Sequence, residues 1–231
     1  MLRDARAPAR RRPTANAARV TGAAVVTRIA IRALDVALAL VGIVVTSPLL
    51  GLSWLFARAS SAGPGLFRQE RLGLNRRPFT MLKLRTMRVD TDDAQHRAYV
   101  RGMLDRDSAV PVHDGLCKLA CDPRITPVGA FLRKTSLDEL PQLFNVLRGE
   151  MSLVGPRPVL PWEAELFRHA DDLRFAVRPG ITGLWQVSGR SRLSMRQALD
   201  LDAEYVRGYS LRLYLRILLS TGPAMLRGGA S

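Results

Sequence analysis

The chain has 231 residues, 47% of them hydrophobic, and its 35 Lys and Arg outnumber its 20 Asp and Glu to give a formal net charge of +15. That length allows one main domain with appendages, and that apolar fraction excludes general disorder. The basic excess calls for an anionic partner or surface, whether nucleic acid, anionic lipid or a phosphorylated substrate.

Residues 1–28 read as a flexible basic leader, in which Arg3, Arg6, Arg10, Arg11, Arg12, Arg19 and Arg28 face only Asp4. The uncharged run Val36–Phe56, VALALVGIVVTSPLLGLSWLF, follows. It matches the roughly 20 apolar residues a helix needs to cross a bilayer. Pro48 lies near its middle, where it removes an N–H and crowds the preceding turn, so a bend or break is expected there. Ser47 can help satisfy the freed backbone groups. Both flanks are basic: Arg28 and Arg32 before the run, Arg58, Arg68, Arg71, Arg76 and Arg77 after it. Basic flanks favour the cytoplasm, and a single crossing keeps only one flank there. Residues 29–58 are therefore expected to form a re-entrant membrane helix that breaks at Ser47-Pro48 and leaves on the side it entered.

The remainder, 59–226, is expected to fold as one domain with a short tail at 227–231. FRQERLGLNRRPFTMLKLR reads as a hairpin turning at Gly73–Arg77. Residues 90–104 suit a helix capped by Asp90 or Thr91, with the DTDD acids in its first turn; divalent-cation binding by those acids is the alternative. Residues 105–124 read as a loop. It carries Cys117 and Cys121, two ordinary thiols that fit a reducing compartment and, with His96, His113 and His169, show no metal-ligand spacing. Beyond it, Val128, Phe131 and Leu132 mark a short helix, and Thr135 or Ser136 is expected to cap a second one that ends at Gly149. Helical stretches are expected at 162–175 and 195–207. Leu211–Leu219, with Arg212 and Arg216 on one face, reads as a helix in the membrane surface that Pro223 ends, or as a terminal helix packed on the core.

Chemistry concentrates between these elements. Asp138 and Glu139 are adjacent carboxylates near a predicted helix start, with Arg133 and Lys134 just upstream. Such a pair can act as a nucleophile or hold a metal, though first-turn acids also merely stabilise helices. Arg157 in GPRP and Arg178 in RPG are held in proline-stiffened turns, and guanidinium forks suit phosphate oxygens. Gly183 and Gly189 would let backbone amides approach an anion.

The chain resembles the small monotopic phosphoglycosyl transferases of the bacterial sugar transferase family. The resemblance covers roughly residues 28–226. It rests on the apolar run with Ser47-Pro48, then FRQERLG, FTMLKLRTM, DPRITPVGAFLRKTSLDELPQLFNVLRGEMSLVGPRP and RPGITGLWQVSGR, in this order. It implies a mainly α fold with a small β-hairpin (α+β), in which a re-entrant helix and interfacial helices carry a compact catalytic domain facing the cytoplasm at the bacterial inner membrane. It implies a two-step reaction with Mg2+: Asp138 attacks the β-phosphate of a UDP-sugar, UMP leaves, and a polyprenyl phosphate collects the sugar phosphate. Glu139 would share the metal with Asp138 or handle protons. Arg133, Arg157 and Arg178, with Lys83 and Arg85 from FTMLKLRTM, are the candidate substrate contacts. The chain departs from the family pattern in its long arginine-rich leader, in the linker ARASSAGPG and in its short C-terminus with Pro223. A nucleic-acid binder would need base-stacking aromatics interleaved with the basic residues. Aromatics are only 6% and do not interleave, so no nucleic-acid partner is expected. For a bare membrane scaffold the Arg-Pro-Gly motifs would be superfluous.

Overall fold

The computed structural model describes residues 15–88, 124–189 and 193–227, together with Arg97 and Gly102. Its longest element is the helix α1 (Ala15–Ala59), which at about 1.5 Å per residue reaches some 68 Å. It begins inside the stretch read as leader, where alanine, the strongest helix former, is frequent. The expected break at Ser47-Pro48 is not seen: Pro48 lies within continuous helix. Its missing N–H would have bonded the Val44 carbonyl. Ser47 Oγ donates to that carbonyl instead, at 2.9 Å, and Thr46 Oγ1 donates to Gly42 O at 2.7 Å. The serine hydroxyl replaces the bond the proline removes, so the helix continues.

A hairpin follows. Strands β1 (Leu66–Leu72) and β2 (Pro78–Leu84) pair antiparallel, from Leu66 opposite Leu84 to Leu72 opposite Pro78. The expected turn at 73–77 carries Asn75 and Arg76 in the left-handed region. Among the described residues this sheet has two strands. Its free edge on β2 is closed by one side chain. Fully buried Asn145 accepts from Leu82 N at 3.0 Å and donates to Thr80 O at 2.7 Å. The amide supplies the donor and acceptor that a third strand would have presented.

Asn145 belongs to α3 (Gln142–Arg148), which follows α2 (Pro127–Lys134). Thr126 caps α2 by accepting from Gly129 N, and Pro127 opens it. Gly129 is required: a Cβ there would lie 2.0 Å from Thr86 O. That approach seats α2 on the end of β2. The expected cap at Thr135 or Ser136 does not form. Thr135 Oγ1 donates back to Phe131 O at 2.9 Å, closing α2, while Ser136 turns left-handed without a side-chain cap. The dyad therefore sits on its own 3-10 turn, Leu137–Glu139, between two helices. Gly149 ends α3 at φ 80°, as expected.

The sequence gives no sign of a second, parallel sheet of β3 (Ser152–Val154) and β4 (Gly180–Thr182). Three-residue strands are too short to show a period. The stretch expected as one helix at 162–175 is split into α4 (Pro161–Glu165) and a 3-10 segment, His169–Ala176. Glu163 and Asp171 accept from the backbone N–H of Leu160 and Arg168 and begin the two pieces separately. A short α5 (Leu184–Ser188) precedes α6 (Met195–Arg207), which a Ser194–Gln197 capping box opens where the sequence expects it. The last helix, α7 (Leu211–Arg227), runs past Pro223, which was expected to end it. The helix expected at 90–104, its DTDD acids, the loop after it and both cysteines lie outside the described residues, except that Arg97 and Gly102 are helical.

The largest core joins α1, β3, α6 and α7 through Ile31, Val154, Tyr205, Tyr214 and Ile217. At its centre is Asp35, 1% exposed. Its Oδ1 accepts from Tyr214 Oη (2.7 Å), Leu153 N (2.8 Å) and Ser152 Oγ (3.1 Å), tying α1 to β3 and α7.

Candidate active site

The dyad turn is held on three sides. It packs on α2, on β2 and on α1. Asp138 is 7% exposed and Glu139 half-buried. Lys83 Nζ, from β2, donates to Glu139 Oε1 at 2.8 Å. A half-buried ion pair of this geometry is worth more as orientation than as stability. It fixes the Glu139 carboxylate of the pair. Arg133 stands in the last turn of α2, just before the dyad turn. The structure thus brings Asp138, Glu139, Lys83 and Arg133 into one neighbourhood.

The other candidate cations lie elsewhere. Buried Arg85 donates to the carbonyls of Ala57, Ser61 and Ala62, so it closes the C-terminus of α1. Arg178 Nε donates to Gly149 O at 2.8 Å, at the end of α3 opposite the dyad. Arg32 reaches the same helix end through the Val146 and Leu147 carbonyls. Cations at a helix C-terminus complement its dipole. The guanidiniums of Arg85 and Arg178 are thus both engaged by backbone oxygens.

GPRP and RPG, separate in the sequence, are packed backbone to backbone. Gly155 N donates to Thr182 O and Gly180 N to Pro156 O, each at 2.9 Å. A Cβ on Gly180 would lie 2.1 Å from Gly155 N, and one on Gly183 2.4 Å from Gly155 O. Gly183 thus serves this close approach of chains. Arg157 leaves the joint toward a hollow that it lines with Arg174, Trp185 and Asp202, among others. Arg174 holds this loop by donating to Arg157 O at 2.7 Å, while pairing with Asp202 at 2.9 Å. Burial raises the Asp202 carboxyl to about 6, against the pull of Arg174 and Arg157. Sequence reasoning missed Asp202. The available signal was an acid on the face of α6 that buries Ala198, Leu199, Ala203 and Tyr205.

Among the described residues no cluster of three or more His, Cys, Asp or Glu could hold a metal by itself. Asp138 and Glu139 offer two carboxylates. Mg2+ is commonly held by one or two carboxylates and completed by substrate phosphates and water, so the donor set fits a metal shared with a diphosphate.

A carboxylate pair oriented by a lysine, with an arginine-bearing loop, is an arrangement suited to anionic substrates, and it sits on a helix long and apolar enough to cross a membrane. Comparison with known proteins narrows this class. Residues 26–228 match the family model described as bacterial sugar transferase, and the chain belongs to that family. It is 41% identical over 194 residues to the exopolysaccharide production protein ExoY of Sinorhizobium fredii, covering 84% of each chain. It is 40% identical over 205 residues to the UDP-glucose:undecaprenyl-phosphate glucose-1-phosphate transferase of Caulobacter vibrioides, covering 84% of this chain and 69% of that one. It is 38% identical over 199 residues to the undecaprenyl-phosphate galactose phosphotransferase of Salmonella typhimurium, covering 85% of this chain but 40% of that one. The chain thus spans less than half the length of some relatives and most of others.

Proposed function

We propose that this protein transfers a sugar 1-phosphate from a UDP-sugar to a polyprenyl phosphate such as undecaprenyl phosphate, releasing UMP, as the membrane step that starts a polysaccharide or glycoconjugate. The observation that carries it is the Asp138–Glu139 pair on a rigid turn against Lys83, in a chain whose relatives bear the names above. An Asp138 oxygen attacks the β-phosphorus, the bridging P–O bond breaks, and UMP takes the electron pair. The acyl phosphate so formed is attacked at phosphorus by an oxygen of the polyprenyl phosphate, which frees the Asp138 carboxylate. The covalent step splits one encounter of two bulky anions into two. Lys83 holds Glu139 in place, and Arg133 and Arg157 neutralise phosphate charge. Asp138 and Glu139 would hold Mg2+, which screens the like charges of carboxylate and diphosphate. Phosphoryl transfer asks mainly for such positioning and neutralisation.

Re-entry of α1 and a cytoplasmic site belong to the same proposal. Val25–Ala59 is long and apolar enough to cross a membrane. Yet Ile31, Asp35 and Ala39 near one end, and Ser53 and Ala57 near the other, are all buried on the same globular body. Between them Val44 and Val45 are each 71% exposed. Both flanks are thus held by one body, and re-entry would require α1, continuous at Pro48 here, to bend there so that its exposed middle enters the membrane.

Enzyme and UDP-sugar without acceptor should release UMP up to one equivalent and gain the mass of a sugar phosphate at Asp138. Asp138→Asn should abolish both signals without unfolding the protein. UMP that appears only after polyprenyl phosphate is added, with no adduct, would replace the covalent route by direct transfer.

A further inference from the structure

Two guanidiniums hold the GPRP loop by successive carbonyls. Arg174 donates to Arg157 O at 2.7 Å, and Arg71 Nη1 donates to Pro158 O at 3.2 Å. Each of these arginines also faces a buried carboxylate, Asp202 at 2.9 Å for Arg174 and Glu163 at 3.6 Å for Arg71. Arg71 is 7% exposed and is oriented from its own strand. Gln69 Oε1 accepts from its Nε at 3.1 Å and from its Nη2 at 2.6 Å. The next residue adds a backbone tie, since Leu72 N donates to Val159 O at 2.9 Å. Pro158 and Val159 follow Arg157 directly. The end of β1 therefore grips the chain just past Arg157, while Arg174 grips Arg157 itself.

The same strand pair serves the dyad. Arg71 lies opposite Phe79, Gln69 opposite Met81 and Phe67 opposite Lys83. Side chains two apart in a strand share a face, and so do cross-strand partners. Gln69, Arg71 and Lys83 thus belong to one face of the hairpin. From Phe79, opposite Arg71, to Lys83 is about 13 Å along the strand. One end of this face delivers Lys83 to Glu139, and the other delivers Arg71 to the loop of Arg157. In the sequence Arg71 is one more basic residue after the apolar run. In the fold its fork is engaged by a glutamine and a backbone carbonyl, so it acts on the protein and not on a ligand.

We propose that Arg71, oriented by Gln69, is a positioning residue: it holds the GPRP loop where the Arg157 guanidinium meets the phosphates of the nucleotide donor. The assignment rests on Arg157 making that contact, as proposed above. Arg71 and Gln69 act through Arg157 and touch no substrate. Weakening their grip therefore cannot cost more than removing Arg157, and once Arg157 is gone it costs nothing further. Support of the fold alone would cost the same with Arg157 present or absent.

A double-mutant cycle on the full-length protein in detergent tests this. It is read as kcat/KM for UMP release from UDP-sugar with polyprenyl phosphate, below the unfolding midpoint of every variant. Two mild variants spare the fold. Gln69→Leu removes the acceptor from a half-buried side chain, and Arg71→Lys keeps a charge facing Glu163 but loses the fork. Each should lower kcat/KM about 10-fold, within what a small misplacement of a substrate-binding group costs, and by no more than Arg157→Ala does. Gln69→Glu, which keeps an acceptor for Arg71, should retain most of the activity. In the Arg157→Ala background, Gln69→Leu and Arg71→Lys should each change kcat/KM by less than about 2-fold. Equal losses with and without Arg157 overturn the proposal and leave the pair as support of the fold. Wild-type kcat/KM in both Gln69→Leu and Arg71→Lys overturns it as well, and so does near-wild-type turnover of Arg157→Ala. Enzyme that releases UMP yet shows any of these patterns refutes the positioning role alone. Enzyme that releases no UMP from any UDP-sugar, with or without polyprenyl phosphate, refutes the reaction itself.

Discussion

At the scale of single residues, charge placement decides what can be tested. Arg157 stands on a loop stiffened by Pro156 and Pro158 and welded to β4, so its guanidinium is presented at little entropic cost. Arg157→Ala should lower turnover by about 10- to 150-fold, the worth of a charge-assisted phosphate contact, while the unfolding midpoint barely moves. Lysine should rescue poorly if the fork binds bidentately. Near-normal turnover of the alanine variant would remove Arg157 from the site. Asp202 makes a prediction about stability. Its carboxyl rises from the ordinary 3.8 to about 6 because burial penalises the charge. Below about pH 4 it is neutral folded and unfolded. Between about 4 and 6 the unfolded chain ionises first, so stability falls as pH rises, and above about 6 the loss is complete. Two units correspond to roughly 3 kcal/mol. The stability of wild type relative to Asp202→Asn should therefore fall by about that amount between pH 4 and pH 7 in denaturant titrations. A difference that stays flat across that window would contradict the raised value.

At the scale of elements, the fold depends on side chains that complete secondary structure. The hairpin has two strands and would be marginal alone. Asn145 supplies its third edge and receives a further brace by donating to Glu150 Oε2 at 2.6 Å. Asn145→Ala would leave Leu82 N and Thr80 O buried without partners, at about 2–4 kcal/mol. Because β2 carries Lys83, turnover should fall together with the unfolding midpoint; an unchanged midpoint would show that the edge is closed by something else. Ser47 acts similarly in α1, where its hydroxyl keeps the helix intact across a proline.

At the scale of the molecule, exposed apolar surface lies where the proposed membrane contact would fall. Val26, Ile29, Val41, Val44, Val45, Leu55 and Phe56 along α1 are all more than half exposed, as is Leu219 on α7. A soluble monomer rarely leaves so much contiguous apolar surface open. On α7 the exposed Leu211, Leu215 and Leu219 run beside Arg212 and Arg216, while Tyr214 and Ile217 face the core. One face therefore packs on the core, as the second reading of this helix expected, and the free apolar face is the one that a position in the membrane surface would use. Under the re-entrant proposal, a cysteine placed near the N-terminus should resist impermeant thiol reagents in intact cells and react after lysis. Labelling from outside would establish a spanning helix. Pro48→Ala should shift a fraction of molecules toward outside labelling, since Pro48, carried in continuous helix here, is where re-entry would bend α1.

The sequence by itself determined the apolar helix, the hairpin with its five-residue turn, the helix over 195–207 and the adjacency of the two carboxylates. Each is encoded locally, by an uncharged run, by turn residues between apolar stretches, by a helical pattern or by two adjacent acids. Only the tertiary structure decided which cations serve which anions. Lys83, Arg85, Arg157 and Arg178 look alike as text, yet Lys83 meets Glu139, Arg85 and Arg178 close helix ends, and Arg157 lines a pocket. The same holds for Asp35, Asn145 and Asp202: Asn145 meets β2 from 63 and 65 residues away, Asp35 meets Ser152 and Tyr214 from 117 and 179, and Asp202 meets Arg174 on another element. Periodicity reports whether a residue is on a buried face. It does not report what waits there, because that depends on which distant backbone the packing brings within hydrogen-bond reach.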